Sequence, residues 1–258
     1  MRPRRITYTQ CYMKYNKKYI TSPRHETNTH KTDLVSVILL SENHGYRMKS
    51  YGPISLIKVG EKSLLERQIE AIQAVFLNFE IILCSGFETE KTVNFIKDRY
   101  SDVNIRVVEN QVHYNSNCCE STRLCINNTT NNKIFLCGGS VLIDPSHLEM
   151  IDLDQSAIMT QNEDANSSFE VGVVAGQKNR LEHLSLGIKF NYWTELVYLA
   201  DEKIIRAIYS IVSNPEYKNR FVFEAINELS SKHYIRVINN SQTPLRKIDN
   251  LKTLKRMQ

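Results

Sequence analysis

From Asp33 onward, apolar residues fall alternately into short unbroken runs and into stripes of helical period, the pattern of strands alternating with helices. Residues 34–40 form an apolar run suited to a strand buried on both faces. Residues 63–77 follow as a helix: Leu64, Leu65, Ile69, Ile72, Ala74, Val75 and Phe76 make its apolar stripe, and Ser63-x-x-Glu66 opens it as a capping box. The pattern then predicts a strand at 79–85, a helix at 88–100, a strand at 104–109, a helix at 118–127 and a strand at 133–137. That last strand runs into Gly138-Gly139-Ser140. The polar run at 127–132 reads as a loop. Later elements are less regular: strands at 157–161, 169–175 and 184–190, helices at 194–212 and 221–230, a strand at 234–238 and a terminal helix from Asn250. The fold class predicted is α/β, with a mixed, mostly parallel central sheet, helices on both faces and an antiparallel extension.

Length and composition are those of a globular chain: 258 residues, 41% hydrophobic and 24% charged. Charge divides it, because residues 1–32 hold eight Lys or Arg against one acid, Glu26, while the remainder is close to neutral. The domain reading is a basic, extended N-terminal arm at 1–32 and one domain at 33–258. Tyr8, Tyr12, Tyr15 and Tyr19 interleave with Lys14, Lys17 and Lys18 in the arm, which suits docking on a partner protein or a second subunit better than nucleic-acid binding. No apolar stretch is long enough for a membrane span, and no apolar core follows the basic N-terminus as in a signal peptide. A cytoplasmic location is expected. The six cysteines lack paired C-x-x-C spacing and read as reduced thiols rather than as a zinc site at Cys118, Cys119, Cys125 and Cys137.

Candidate chemistry begins where the first strand ends, at Leu40-Ser41-Glu42-Asn43-His44-Gly45-Tyr46-Arg47-Met48, ahead of Pro53 and Leu56. Backbone N–H groups after a strand can cradle phosphates where no side chain blocks their approach, and Arg47 follows such a loop with a guanidinium able to grip two oxygens. The segment resembles the loop L-A-A-G-x-G-x-R-M, followed by P-K-x-L, of the sugar-nucleotide and choline-phosphate nucleotidyltransferases. Ser41, Glu42 and Asn43 replace its two alanines and first glycine, and Ile54 replaces its lysine. Further segments are similar in the same order. Lys58-Val59-Gly60-Glu61-Lys62-Ser63-Leu64-Leu65-Glu66 resembles v-x-G-k-P-L-L-e, and Ile81 to Phe87 resembles I-v-v-x-G-Y. Asn110, Asn117, Ser121 and Leu124 match the spacing N-x(6)-N-x(3)-S-x(2)-L, and Leu245-Arg246-Lys247-Ile248-Asp249-Asn250 resembles w-x-E-I-D-T.

This resemblance implies a Rossmann-like GT-A fold and attack by a phosphorylated alcohol or sugar on the α-phosphorus of a nucleoside triphosphate, with CTP favoured. It also implies roles for individual residues: Arg47 and Asp249 catalytic; Leu40, Gly45, Asn117, Ser121 and Ser140 around the nucleotide; Asp249 as ligand to Mg2+. Glycine and serine stand at 138–140 where the resemblance leads one to expect carboxylates. Two readings stay open. Glu42, Asp144 or Asp152 could replace the lost acids, with Asp152-Leu153-Asp154 as a D-x-D, leaving an active or weakened transferase. Alternatively, the chain is a non-catalytic relative that uses the fold for assembly or partner docking. His44, His113, Lys189, Glu224, Tyr192 and Trp193 are further residues that could line a pocket.

Overall fold

The computed structural model describes residues 31–43, 48–162, 168–240 and 243–257. Gly45, Arg47, His44 and residues 1–30 of the basic arm lie outside them. The chain runs through β1 (Lys31–Ser41), the short pair β2 (Lys58–Val59) and β3 (Lys62–Ser63), α1 (Leu64–Val75), β4 (Phe76–Ser85), α2 (Thr89–Arg99) and β5 (Ile105–Glu109). It continues through α3 (Cys118–Ile126), β6 (Ile134–Gly138), β7 (Val141–Leu142), α4 (Pro145–Glu149), β8 (Ala157–Asn162), β9 (Val171–Ala175) and β10 (Leu181–Leu186). The last part holds β11 (Asn191–Leu199), α5 (Glu202–Val212), α6 (Val222–Lys232), β12 (Arg236–Asn239), β13 (Arg246–Lys247) and α7 (Leu251–Met257).

β1 is the spine of a nine-stranded mixed sheet. It pairs in parallel with β4 on one side and β6 on the other, and β5 continues in parallel beyond β4. Beyond β6 the direction reverses: β11 runs antiparallel to β6, β8 and β9, and β10 runs antiparallel to β9. The expected antiparallel extension is therefore present, with one exception, since β12 joins β8 in parallel. Alternate residues of β1 feed two cores. Val35, Val37 and Leu39 pack with Leu65, Ile69 and Ile72 of α1, Ile96 of α2 and Leu148 of α4. Ile38 faces the other way, into a core with Cys119 and Cys125 of α3, Ile204 and Ile208 of α5 and Leu229 of α6. Both faces are covered, which is why the run reads as continuously apolar.

The helix predicted at 194–212 is corrected. Residues up to Leu199 belong to β11, where Thr194, Val197 and Tyr198 suit a pleated surface, and α5 starts only after Asp201, whose carboxylate accepts the Ile204 N–H at 2.9 Å. Trp193 accordingly packs within the sheet, its indole N–H donating to the Leu196 carbonyl at 3.1 Å, rather than lining a pocket. No helix among the described residues is long and apolar enough to cross a membrane.

The capping box of α1 is present in full: the Ser63 hydroxyl accepts the Glu66 N–H at 3.2 Å, and the Glu66 carboxylate accepts the Ser63 N–H at 2.7 Å. Glu66 also bonds Arg99 of α2 at 2.9 Å, so the same cap ties two helices together. Ser63→Ala is expected to cost about 1 kcal/mol and to lower the melting temperature by roughly 2–4 °C, read by differential scanning calorimetry.

Candidate functional site

Parallel strands release their chains at one edge of the sheet, and the loops there enclose the natural site of an open α/β fold. The pairing of β1 with β4 and β6 puts Ser41 beside Ser85 and Leu40 beside Gly138. Gly139 follows so tightly that its N–H donates to the Leu40 carbonyl at 2.7 Å; a Cβ there would fall 1.9 Å from Ser41 Oγ. Gln68 of α1 pins the turn from the other side, donating to the carbonyls of Gly138 and Val141 at 3.2 and 2.9 Å.

At this edge a chain of polar groups runs inward. Asn110, after β5, donates to Ser116 Oγ at 3.1 Å and to Ser121 Oγ of α3 at 3.0 Å. Ser121 stands beside Glu42, which leaves β1 with 3% of its surface exposed. Burial pushes the Glu42 carboxyl above its ordinary value of 4.5; the bonds from its own N–H and from Ser121 work the other way, and the charge of Glu195 adds to the rise. Among the described residues, Glu42 Oε2, Ser41 Oγ, Ser85 Oγ and His113 Nε2 are buried without a hydrogen-bond partner. Four orphaned polar atoms at one strand edge are unusual, because buried polar groups are nearly always satisfied. Asn117 stands at the rim as the N-cap of α3, its side-chain oxygen accepting the Cys118 N–H at 2.8 Å.

A second cluster lies across β6. The register that sets Leu196 against Cys137 carries Glu195 to Gly138, and Glu195 holds a left-handed φ of 62° where β11 shifts register. Its carboxylate accepts the Lys247 ammonium of β13 at 2.6 Å, and Lys247 lies 3.7 Å from the Asp249 carboxylate. Burial disfavours the Lys247 charge, but Glu195, then Asp249 and Glu170, outweigh it and hold its pKa above the usual value. Ser140 joins this cluster by its backbone, its carbonyl accepting the Ile248 N–H at 2.8 Å. The structure thus gathers Leu40, Ser121, Ser140 and Asp249 along one edge with Asn117 at the rim, while Gly45 and Arg47 lie outside the described residues.

No family model matches this sequence, and no curated protein matches it. Solved structures do resemble it. CTP:phosphocholine cytidylyltransferase from Streptococcus pneumoniae superposes with a TM-score of 0.70 at 17% identity, over 86% of this chain and 97% of that one. The fold is that of the nucleotidyltransferases. An inositol-1-phosphate CTP transferase from T. maritima (TM-score 0.66, 17% identity, 86% and 94% covered) shares it. So does a nucleoside-diphosphate-sugar pyrophosphorylase from Vibrio cholerae (0.68, 11%, 86% and 98%).

The residues of this nucleotidyltransferase-like fold do not fit a divalent cation at Asp249. Mg2+ requires several hard oxygen ligands in octahedral array. Asp249 instead lies 3.7 Å from the Lys247 ammonium, and among the described residues no group of three His, Cys, Asp or Glu could hold a metal. Gly139 admits no carboxylate either, since a Cβ there would fall 2.5 Å from the Leu40 carbonyl oxygen, and the space beside Gly138 is taken by Glu195 Oε2, 2.3 Å from where a Cβ would lie. The other acids considered from sequence do not substitute. Asp152 and Asp154 form a turn, Asp152 Oδ1 accepting the Asp154 N–H, and Asp154 pairs with Lys133, as does Asp33 near the start of β1. This places the D-x-D at the opposite end of the strands. Asp144 is the N-cap residue of α4, and Glu224 accepts the Phe221 N–H at the start of α6. Lys189 is exposed. Cys84, Cys118, Cys119, Cys125 and Cys137 are free thiols, and burial is the largest effect raising the pKa of Cys118 and Cys137. Two clefts, of about 330 and 260 Å3, lie away from the strand edge, one between α5 and α6 and one between α1 and the start of α4.

Glu195 and Lys247 are members of this cluster that the sequence reading did not single out. Lys247 had a signal, since it stands where the similar segment has glutamate, two residues before Asp249 on the same side of an extended chain. Glu195 had none.

Because the pKa of Glu42 is raised, the folded chain holds its proton more tightly than the unfolded chain, and stability is lost as pH rises above 4.5 toward the folded value. Glu42→Gln is therefore expected to raise the melting temperature at pH 7 and to leave it unchanged at pH 4, as read from thermal denaturation at the two pH values.

Proposed function

We propose that this chain binds a nucleoside triphosphate, CTP favoured, at the edge formed by the ends of β1, β4, β5 and β6. The observation that carries the reading is the set of buried, unpartnered polar atoms at that edge: Ser41 Oγ, Glu42 Oε2, Ser85 Oγ and His113 Nε2. A ligand with hydrogen-bonding groups would satisfy them, and the Asn110–Ser121–Glu42 chain holds them in place. The fold supports a nucleotide as that ligand. The preference for CTP is supported by two structural neighbours whose names specify CTP, together with the Asn110, Asn117 and Ser121 spacing.

Transfer of the nucleotidyl group to a small phosphorylated alcohol or sugar is reduced or lost in this reading. Phosphoryl-type transfer depends on neutralising developing charge, and a single such contact commonly contributes about 10²–10³ in rate. Here Ile54, Gly138 and Gly139 occupy positions where charge would act, and Asp249 is engaged by Lys247. That engagement favours the non-catalytic reading, in which the chain senses a nucleotide or serves assembly, with residues 1–32 as its docking arm and a second subunit or another protein as partner.

The test is a thermal shift of the full chain against CTP, UTP, ATP and GTP. At a CTP concentration about 100 times its dissociation constant, the melting temperature is expected to rise by about 5–10 °C, with smaller shifts for the other three. Ser121→Ala is expected to weaken CTP binding about two- to tenfold, through loss of the bond that orders Asn110. If no nucleotide moves the melting temperature, the binding reading is wrong.

A further inference from the structure

We propose that the Lys247 ammonium, held between Glu195 and Asp249, is the resident cation of this site, and that it takes the place of a divalent metal ion so that a nucleotide is bound without one. For its nucleotide half the inference rests on the reading above; its metal half stands apart from it.

Three independent features meet at this point. The first is the packing of the β6 end. A Cβ on Gly139 would meet the Leu40 carbonyl oxygen at 2.5 Å and Ser41 Cα at 2.8 Å, backbone atoms that cannot step aside, while the Glu195 carboxylate occupies the space beside Gly138, 2.3 Å from where a Cβ would lie. The carboxylate that stands beside Gly138 comes from β11, across the strand pair. The second is strain. Glu195 sits in the left-handed region within a strand, at a register shift, a conformation that costs a non-glycine residue free energy and persists only where the surroundings enforce it. That conformation accompanies a carboxylate brought against Gly138 and onto Lys247 at 2.6 Å.

The third is the pairing of β13 with β7, whose register sets Arg246 against Leu142 and Lys247 against Val141. Lys247 and Asp249 then lie two apart on a chain anchored by the Ile248 N–H to the Ser140 carbonyl, with Ile248 itself buried. The Lys247 side chain is 21% exposed, between Glu195 and Asp249 side chains that are 28% and 31% exposed, so the cluster is partly desolvated yet reachable from solvent. A divalent ion entering between the same carboxylates would meet a like charge already in place, within a few ångströms and under weak screening. Lysine is suited to the role of a point charge: it carries three donors, one of which serves Glu195, while the 3.7 Å separation from Asp249 is longer than a hydrogen bond. Donor capacity remains for a phosphate oxygen.

The metal half is tested on the full, metal-stripped chain by titrating Mn2+ and reading the free Mn2+ signal by electron paramagnetic resonance. The unaltered protein is expected to show no site sensitive to Asp249→Asn at millimolar Mn2+. Lys247→Glu, which replaces the ammonium by a third carboxylate, is expected to gain one site at least about tenfold tighter than any in the unaltered protein, and Asp249→Asn in that background to abolish it. Lys247→Gln leaves both carboxylates without adding charge and decides the matter if Lys247→Glu does not fold. A Mn2+ site in the unaltered protein that Asp249→Asn removes overturns the inference, and so does the absence of any gain in both Lys247 variants. For the nucleotide half, the CTP-induced thermal shift is expected to be equal in Mg2+ and in EDTA, and a shift that EDTA abolishes overturns the inference. If no nucleotide shifts the protein at all, the previous reading fails, and the Mn2+ titration alone decides whether Lys247 excludes a metal.

Discussion

Every part of the site depends on β1 being paired on both edges, in one unbroken register with β4 from Leu34 to Ser41, and buried on both faces. One continuous hydrogen-bonded ladder from β5 through β4 and β1 to β6 sets the strand ends level, so Ser41, Ser85 and Gly138 emerge together. A slip of one residue would turn Val35, Val37 and Leu39 from the α1 core into the α3 core and would carry the edge residues with them. Ser41 and Ser85 are set side by side by that pairing, and Glu42 and His113 stand on the segments that follow β1 and β5.

Beyond β6 the charges of this edge form one compensated group. Gly139 is packed too tightly for a side chain, and negative charge is carried by Glu195 from β11 and Asp249 after β13, with Lys247 between them. Breaking such a partly buried group by removing one member leaves the others uncompensated, so its three members are tied together in a way that single surface ion pairs are not. Glu42 is the complementary case, a carboxyl with no cation beside it among the described residues, which burial drives toward its neutral form. The edge thus holds a neutral-leaning donor group on one side of β1 and a compensated charged group beyond β6.

Much of the framework was legible in the residues. The β1 run, the Ser63 and Glu66 cap, the α3 start at Asn117 and the order of segments all follow from local rules of period, capping and turn chemistry, which act within a few residues. The helix predicted at 194–212 failed for the same reason that the others succeeded. Apolar residues before Asp201 continue without a breaker into α5, and nothing local separates a strand inserted beside β6 from the first turns of a helix. Asp249 was legible as a residue from its segment, but its neighbour Lys247, 3.7 Å away, is a tertiary fact.

By itself the sequence determined the alternation of strands and helices, the burial of β1 on two faces and the glycines after β6, since each is a short-range consequence of side-chain size, period and backbone freedom. Only the tertiary structure decided what fills the space those glycines leave. Glu195 and Lys247 are 52 positions apart, and the ion pair between them exists because β11 is inserted antiparallel to β6 while β13 pairs with β7. A charge has no period and leaves no pattern along the chain, so its partner is fixed by the approach of strands distant in sequence and not by any segment read alone.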